Sequence, residues 1–296
     1  MDYQVDELEQ GKRIDVFLMD KMNISRSKVQ KIIKSNGVSV NDNIVKNSFV
    51  VKKDDLITVD YIEEDIEIKP EKMDLDIVYE DDDVIVINKG NNVVVHPAVG
   101  NYSGTLVNGL MYYSNSLSSK NGEFRPGIVH RIDACTTGLL MVAKNDHAHE
   151  FLSKQLESKT VHRIYIGLVW GVINNDTGTI DAPIGRDPKD RKKMAVTADN
   201  SKEAITHFKV LKRFSNATLV ELKLETGRTH QIRVHMNYIG FPIVNDPVYG
   251  RRKVIDDTGQ CLHAKELGFI HPKTGKYMEF TSELPTCFTN ILNQMK

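Results

Sequence analysis

Two short stretches of the 296-residue chain gather side chains able to do chemistry. The first runs from Arg125 to Gly138 (RPGIVHRIDACTTG). An apolar segment there leads into a polar loop holding a guanidinium (Arg131), a carboxylate (Asp133) and two hydroxyls (Thr136, Thr137). Gly138 then starts another apolar run. Reactive groups often sit on loops held by a rigid scaffold. Taken alone, Asp133 reads more readily as a turn former with Arg131 as its surface partner. The second stretch, Gly227 to His235 (GRTHQIRVH), packs four titratable or cationic residues together. Read as helix, His230 and His235 lie about 140° apart, the wrong spacing for a zinc pair, which prefers i, i+4. Arg228 and Arg233 suit anion binding instead, where one can meet a phosphate and the other a buried carboxylate. A plain helix start, with the histidines capping and packing, stays open at this point.

Other candidates for chemistry are weaker. Cys135, Cys261 and Cys287 are odd in number and far apart, which argues against a disulfide framework or a thiolate zinc site. The acidic run Glu80 to Asp83 is read as a solvated turn before a strand rather than a magnesium site.

The elements that must position these residues are partly legible. Val84 to Lys89 and Leu139 to Ala143 are continuous apolar runs of the kind buried on both faces of a sheet. Between them and the second stretch, Asp146 to Ser158 reads as an amphipathic helix with Phe151, Leu152 and Leu156 inward. Val161 to Trp170, Ile205 to Lys212 and Leu219 to Glu225 read as strands. Thr226-Gly227-Arg228 opens a helix carrying Ile232, Met236 and Ile239. Many strands with few helices favour an α+β fold with a mixed, mostly antiparallel sheet over a doubly wound one.

Charge divides the chain. Gly11 to Lys53 holds ten basic residues against three acidic, whereas Glu63 to Asp83 is strongly acidic and contains Pro70. That change reads as a boundary: a small unit at 1–62, an acidic linker at 63–82 and a larger unit at 83–296. In the first unit Ser25 can cap a helix from Arg26 to Ser35, with Val29, Ile32 and Ile33 inward and Lys28, Lys31 and Lys34 on another side. Gly37 suits a left-handed helix end. A short Val38–Val40 strand, a turn at Asn41-Asp42-Asn43 and a strand around Leu56–Asp60 follow. The net charge of −1 counts against indiscriminate coating of nucleic acid but allows one local basic face. No apolar run reaches the roughly 18 residues that span a membrane, and the first fifteen residues are polar and acidic with no signal-peptide core. A cytoplasmic protein is expected.

The basic helix–turn–strand unit resembles the S4 RNA-binding domain. Gly127 to Lys144 (GIVHRIDACTTGLLMVAK) closely resembles the signature of RluA/RluD-type pseudouridine synthases. Further segments are similar to that family in the same order: Arg163-Ile164-Tyr165 with Val169-Trp170-Gly171, Pro183 to Pro188 with Met194 beyond, Gly227 to Met236, and Leu262-His263-Ala264 followed by His271-Pro272 and Thr274-Gly275. Departures are Ala134-Cys135, where many relatives carry a charged pair, and Gly90-Asn91-Asn92, where many carry proline. They touch the rim of the site rather than any group the reaction requires.

The resemblance implies a pseudouridine synthase fold behind an S4-like α/β domain. It also implies isomerisation of uridine in structured RNA, with breakage of the N1–C1′ bond and rejoining through C5. No cofactor and no metal are required. Asp133 would be the nucleophile and Arg233 its ion-pair partner. Tyr165 would lie against the uracil ring, Leu262 would close the apolar side of the pocket, and Arg131 would occupy the space of the flipped base or hold the backbone. Arg26, Lys28, Lys31, Lys34 and Arg228 would contact RNA. His96 is structural or rim-lining. The domain order is most like the branch acting on large-subunit ribosomal RNA, with transfer RNA as the alternative substrate. A monomer suffices, with RNA as the partner and no membrane. The rival from another class is a non-catalytic S4-type RNA-binding or ribosome-associated protein, which would have no need for Asp133.

Overall fold

The structure, a computed structural model, describes residues 1–60, 68–98, 101–122, 125–190, 193–250 and 254–296. The chain divides into two compact units, Met1–Ile66 and Glu67–Lys296. Of the stretch read as an acidic linker, 63–82, residues 63–67 lie outside the described residues, and the rest is not a linker but part of the second unit, with Ile68 in its core and Ile77–Glu80 a strand of its sheet.

The first unit runs β1 (Asp2–Gln4), α1 (Ile14–Met22), α2 (Arg26–Lys34), β2 (Val38–Val40), β3 (Asn43–Ile44) and β4 (Leu56–Val59). The strands form one antiparallel sheet in the order β1-β4-β2-β3. Ser25 caps α2 by accepting the Lys28 N–H, and Val29, Ile32 and Ile33 pack with Ile14, Phe17, Leu18 and Ile57 in the core. The left-handed residue that ends α2 is Asn36 (φ 61°), not Gly37 as the sequence suggested. Gly37 has a different reason: a Cβ there would lie 2.9 Å from the Asp60 carbonyl oxygen, so it permits close passage of two backbones. Helix α1 escaped the sequence reading. Its helix face is short, and its buried Asp15 breaks the apolar pattern.

The second unit runs β5 (Ile77–Glu80), β6 (Val84–Lys89), α3 (Leu106–Tyr113), β7 (Thr137–Ala143), α4 (Asp146–Glu157), β8 (His162–Trp170), β9 (Thr177–Asp181), β10 (Ile184–Arg186), β11 (Met194–Val196), β12 (Ile205–Arg213), β13 (Ala217–Leu224), α5 (Gln231–Tyr238), β14 (Leu262–Ile270), β15 (Tyr277–Thr281) and α6 (Thr286–Leu292). Its main sheet has the order β5-β6-β7-β14-β8-β13-β12-β9, with β15 also on β14. Among the described residues only β7 and β14 pair in parallel, through His263 opposite Thr137 and Ala264 opposite Gly138. The fold is therefore α+β with a mixed, mostly antiparallel sheet. Gly138 (φ 105°) is required at that junction, because a Cβ would meet the Ala264 backbone.

Strands β6 and β7 are buried on both faces, as their unbroken apolar runs implied. Ile85, Ile87, Leu140 and Val142 face a core shared with α3 and α5. Val84, Val86, Leu139 and Met141 face a second core under α4. The turn entering β6 is more than solvated. Asp81 accepts the Asp83 and Val84 N–H groups and the Tyr79 hydroxyl, and it pairs with buried His271 at 2.7 Å.

One expectation fails at α5. The helix begins at Gln231, and His230 stands outside it in the left-handed region (φ 56°). The Gln231 amide explains this. Its Oε1 accepts the Arg228 N–H and the Thr226 hydroxyl, while its Nε2 donates to the Ile205 carbonyl and the Thr206 hydroxyl. Residues 226–230 are thus held as a loop by side-chain bonds that compete with helix. The helical spacing assumed for His230 and His235 does not exist. His235 is buried against Thr206 and the Ala182 carbonyl.

Candidate active site

The loop carrying Asp133 is anchored at several points. Ile128 and Ile132 enter the core at its start. At its end Thr136 accepts from Gln260 Nε2 at 3.0 Å, and Thr137 Oγ1 meets His263 Nδ1 at 2.8 Å. From β6, Lys89 reaches under the loop and donates to the carbonyls of Ala134 and Gly90, both at 2.8 Å. Burial lowers this ammonium to about 8 despite the charge of nearby Asp133. The sequence reading assigned Lys89 no role. A lysine closing an apolar strand gives no sign that its head will turn inward.

Arg233, on the buried face of α5, joins two carboxylates. Its Nη1 donates to Asp133 Oδ2 at 2.9 Å. Its Nε and Nη2 form a fork with Asp246, at 2.7 and 2.8 Å. Asp246 is fully buried and also accepts the Val248 and Tyr249 N–H groups. Burial alone would depress the Arg233 guanidinium, but the hydrogen bonds and charges of Asp246 and Asp133 hold it above its ordinary value. Burial likewise pushes the Asp246 carboxyl up, and Arg233 outweighs it and keeps the group ionised.

Tyr249 completes the frame. Arg233 lies over its ring, 5.0 Å from the centroid, and its hydroxyl meets His230 Nδ1 at 2.8 Å. The other ring nitrogen of His230 is 3.8 Å from Asp133 Oδ1, beyond hydrogen-bond range. Asp133 therefore has one oxygen held by Arg233 and one without a hydrogen bond among the described residues. Burial lowers His230, so its imidazole is neutral at physiological pH. Asp246, Tyr249 and His230 were all missed as site members. The first two lie in a stretch with no motif, and His230 was placed on a helix.

Asp133 borders a cavity of about 70 Å³. Asp133, Arg131, Tyr165, Arg228, Arg233 and Leu262, drawn from separate strands, loops and a helix, all line it. Tyr165 and Leu262 are buried. Burial raises the Tyr165 hydroxyl, so it is a neutral phenol. Arg131 is exposed on the rim and has no ion pair among the described residues. Arg228 donates from Nε to the Glu203 carbonyl. The four remaining candidates belong to α2 in the first unit. Lys31 and Lys34 are exposed and Lys28 is half-buried. Arg26 is already engaged: with Arg13 and Gln30 it surrounds the buried Asp15 carboxylate.

Known proteins carry the same organisation. The S4 domain family matches residues 12–57, and the RNA pseudouridylate synthase family matches residues 83–238. The chain is 54% identical over 298 residues to the uncharacterized RNA pseudouridine synthase YlyB of Bacillus subtilis, spanning 100% of this chain and 98% of that one. It is 43% identical over 275 residues to ribosomal large subunit pseudouridine synthase D of Zymomonas mobilis, 88% of this chain and 86% of that one. Among solved structures, human RNA pseudouridylate synthase domain containing 1 superposes with a TM-score of 0.60 at 27% identity, covering 75% of this chain and 86% of its own. With that family model over residues 83–238 and a relative 54% identical across the chain, the protein belongs to the RNA pseudouridylate synthase family and is an RNA pseudouridine synthase with an S4 domain ahead of its synthase fold.

Proposed function

We propose that the enzyme isomerises uridine in large-subunit ribosomal RNA, with Asp133 as the nucleophile on an extruded base. The observation that carries this reading is the unequal treatment of the two Asp133 oxygens. One is fixed by Arg233, the other has no hydrogen bond among the described residues, and Asp133 lines the cavity together with Tyr165. A neighbouring cation favours the ionised carboxylate and sets its orientation. Bond formation at C6 of the base and assistance at C1′ of the ribose would both use this same oxygen. The net change breaks N1–C1′, forms C5–C1′, removes the C5 proton and returns one proton to N1. Tyr165 offers a π face for the ring and a hydroxyl beside the C5 proton, and Leu262 closes the apolar wall.

The cavity is about 70 Å³, roughly half of the ~150 Å³ that admits benzene in an apolar protein interior. A pyrimidine therefore enters only as the rim yields. Arg131, exposed on that rim, is the group free to move and to occupy the gap left in the RNA stack. Support for large-subunit ribosomal RNA comes from relatives named for that substrate at 42–43% identity. Pseudouridines should be mapped across cellular RNA with and without the gene. Loss of one or a few sites in large-subunit ribosomal RNA, restored by the wild-type gene, is expected. Loss confined to transfer RNA would overturn the substrate assignment.

A further inference from the structure

A second, larger cavity of about 480 Å³ adjoins the Asp133 pocket. Arg131, Arg163, Gly227 and Arg228 are walls of both. The shared walls are thus rich in guanidinium, and Arg125 also lines the larger cavity. Of the carboxylates nearby, Glu225 is engaged by His207 at 2.7 Å and approached by Lys159 at 3.9 Å, and Glu157 is exposed to solvent.

Arg163 is the unusual member. It lies on β8 two residues before Tyr165 and is only 6% exposed. A cation at that depth normally has a carboxylate partner, because burial removes its hydration. Among the described residues Arg163 has none. Its one hydrogen bond runs from Nη2 to the Glu225 carbonyl at 3.2 Å, and its Nε has no partner. Burial lowers the guanidinium below its ordinary value. Gly227 leaves it uncovered, since a Cβ there would stand 2.9 Å from Nη1. His96, on the same cavity and 5% exposed, likewise has an unpartnered Nδ1. Burial, with Arg125 and Arg131 adding to it, lowers His96 to about 4, so it presents a neutral imidazole at physiological pH.

A buried guanidinium with an unsatisfied Nε–H, in an arginine-walled cavity beside an unpartnered imidazole nitrogen, calls for an anion with several acceptor oxygens. The cavity shares its walls with the pocket that takes the base, so the anion in reach is the chain that carries that base. We infer that this cavity is a phosphodiester subsite for the RNA backbone flanking the target uridine, with Arg163 as its innermost ligand. A guanidinium fork matches phosphate oxygens in geometry and charge. The inference rests on the uridine-isomerising role of the adjoining pocket.

A chemical double-mutant cycle tests it. Target RNAs carry one neutral methylphosphonate linkage at a time around the uridine. Binding and pseudouridine formation are read separately, with the full-length wild-type, Arg163→Met and Arg163→Lys chains. In wild type, neutralising one particular linkage should weaken binding about tenfold or more. Arg163→Met should show a similar loss on unmodified RNA and be indifferent to that linkage. Arg163→Lys, which keeps charge but not the fork, should fall between. Because an unpaired buried charge is removed, Arg163→Met should melt at or above the wild-type temperature. The subsite is refuted if the two losses multiply, if no linkage matters, or if Arg163→Met melts lower. Wild type that forms no pseudouridine in unmodified RNA would instead refute the function assigned to the adjoining pocket, since the binding cycle is read independently of turnover.

Discussion

Arg233 holds the Asp133 carboxylate while making more of its hydrogen bonds to a second acid. Two of its three contacts go to Asp246, which has no access to solvent. The pair with Asp246 fixes the guanidinium, and the guanidinium then fixes Asp133. An ammonium cannot span both acids, because it is a point charge without a planar fork. Arg233→Lys should therefore fold, with a lower melting temperature, and lose about tenfold to a hundredfold in turnover as one charge-assisted contact is given up. Steady-state kinetics and a thermal melt check this, and turnover within twofold of wild type would contradict it. The sequence made Asp133 and Arg233 legible because each lies in a dense motif. Asp246 was invisible because it stands between Asn245 and Pro247, a context that reads only as a turn. His230 was visible but misplaced, since nothing local reveals that Gln231 will commit its amide to the preceding loop.

The site's strands are tied at the far end of the sheet by the turn between β5 and β6. There Asp81 links that turn to His271 after β14. Burial pushes the Asp81 carboxyl up, but the Tyr79 hydroxyl, the Val84 and Asp83 N–H groups and His271 outweigh it and bring it down to about 2. A carboxyl held below its unfolded value stabilises the fold above roughly pH 4, and this contribution is lost as the pH falls through the folded value. Denaturant midpoints measured from pH 7 to pH 2.5 should fall more steeply for wild type than for Asp81→Asn. Parallel curves would show that this tie adds nothing to stability. At this scale the sequence spoke clearly where strands are apolar on both faces, as in β6 and β7, and for α4 in part: Leu152 and Leu156 pack inward, whereas Phe151, also read as inward, stays half-buried and stacks with His147. It was silent on α3, α6 and α1. Helix α3 does carry a signal, the Thr105–Asn108 capping box before Leu106 and Val107, whereas α6 is seven residues long and follows Pro285.

Over the whole molecule the net charge is −1, and the basic surplus of the first unit is local, ten basic against three acidic residues between Gly11 and Lys53. On α2, Lys31 and Lys34 are exposed, while Arg26 is committed to Asp15. The two lysines should carry phosphate contacts, and Arg26 should carry stability instead. Replacing Lys31 and Lys34 by alanine should reduce the slope of log affinity against log salt by roughly one to two, with pseudouridine formation at saturating RNA unchanged. An unaltered slope would move the RNA contacts off α2. In the proposed mechanism all of this serves one carboxylate, and the most direct test is Asp133→Asn. The variant keeps the shape of the side chain and removes its charge. It should bind target RNA with wild-type affinity and form no detectable pseudouridine in single-turnover assays, whereas pseudouridine formation at the wild-type rate would contradict the role given to Asp133.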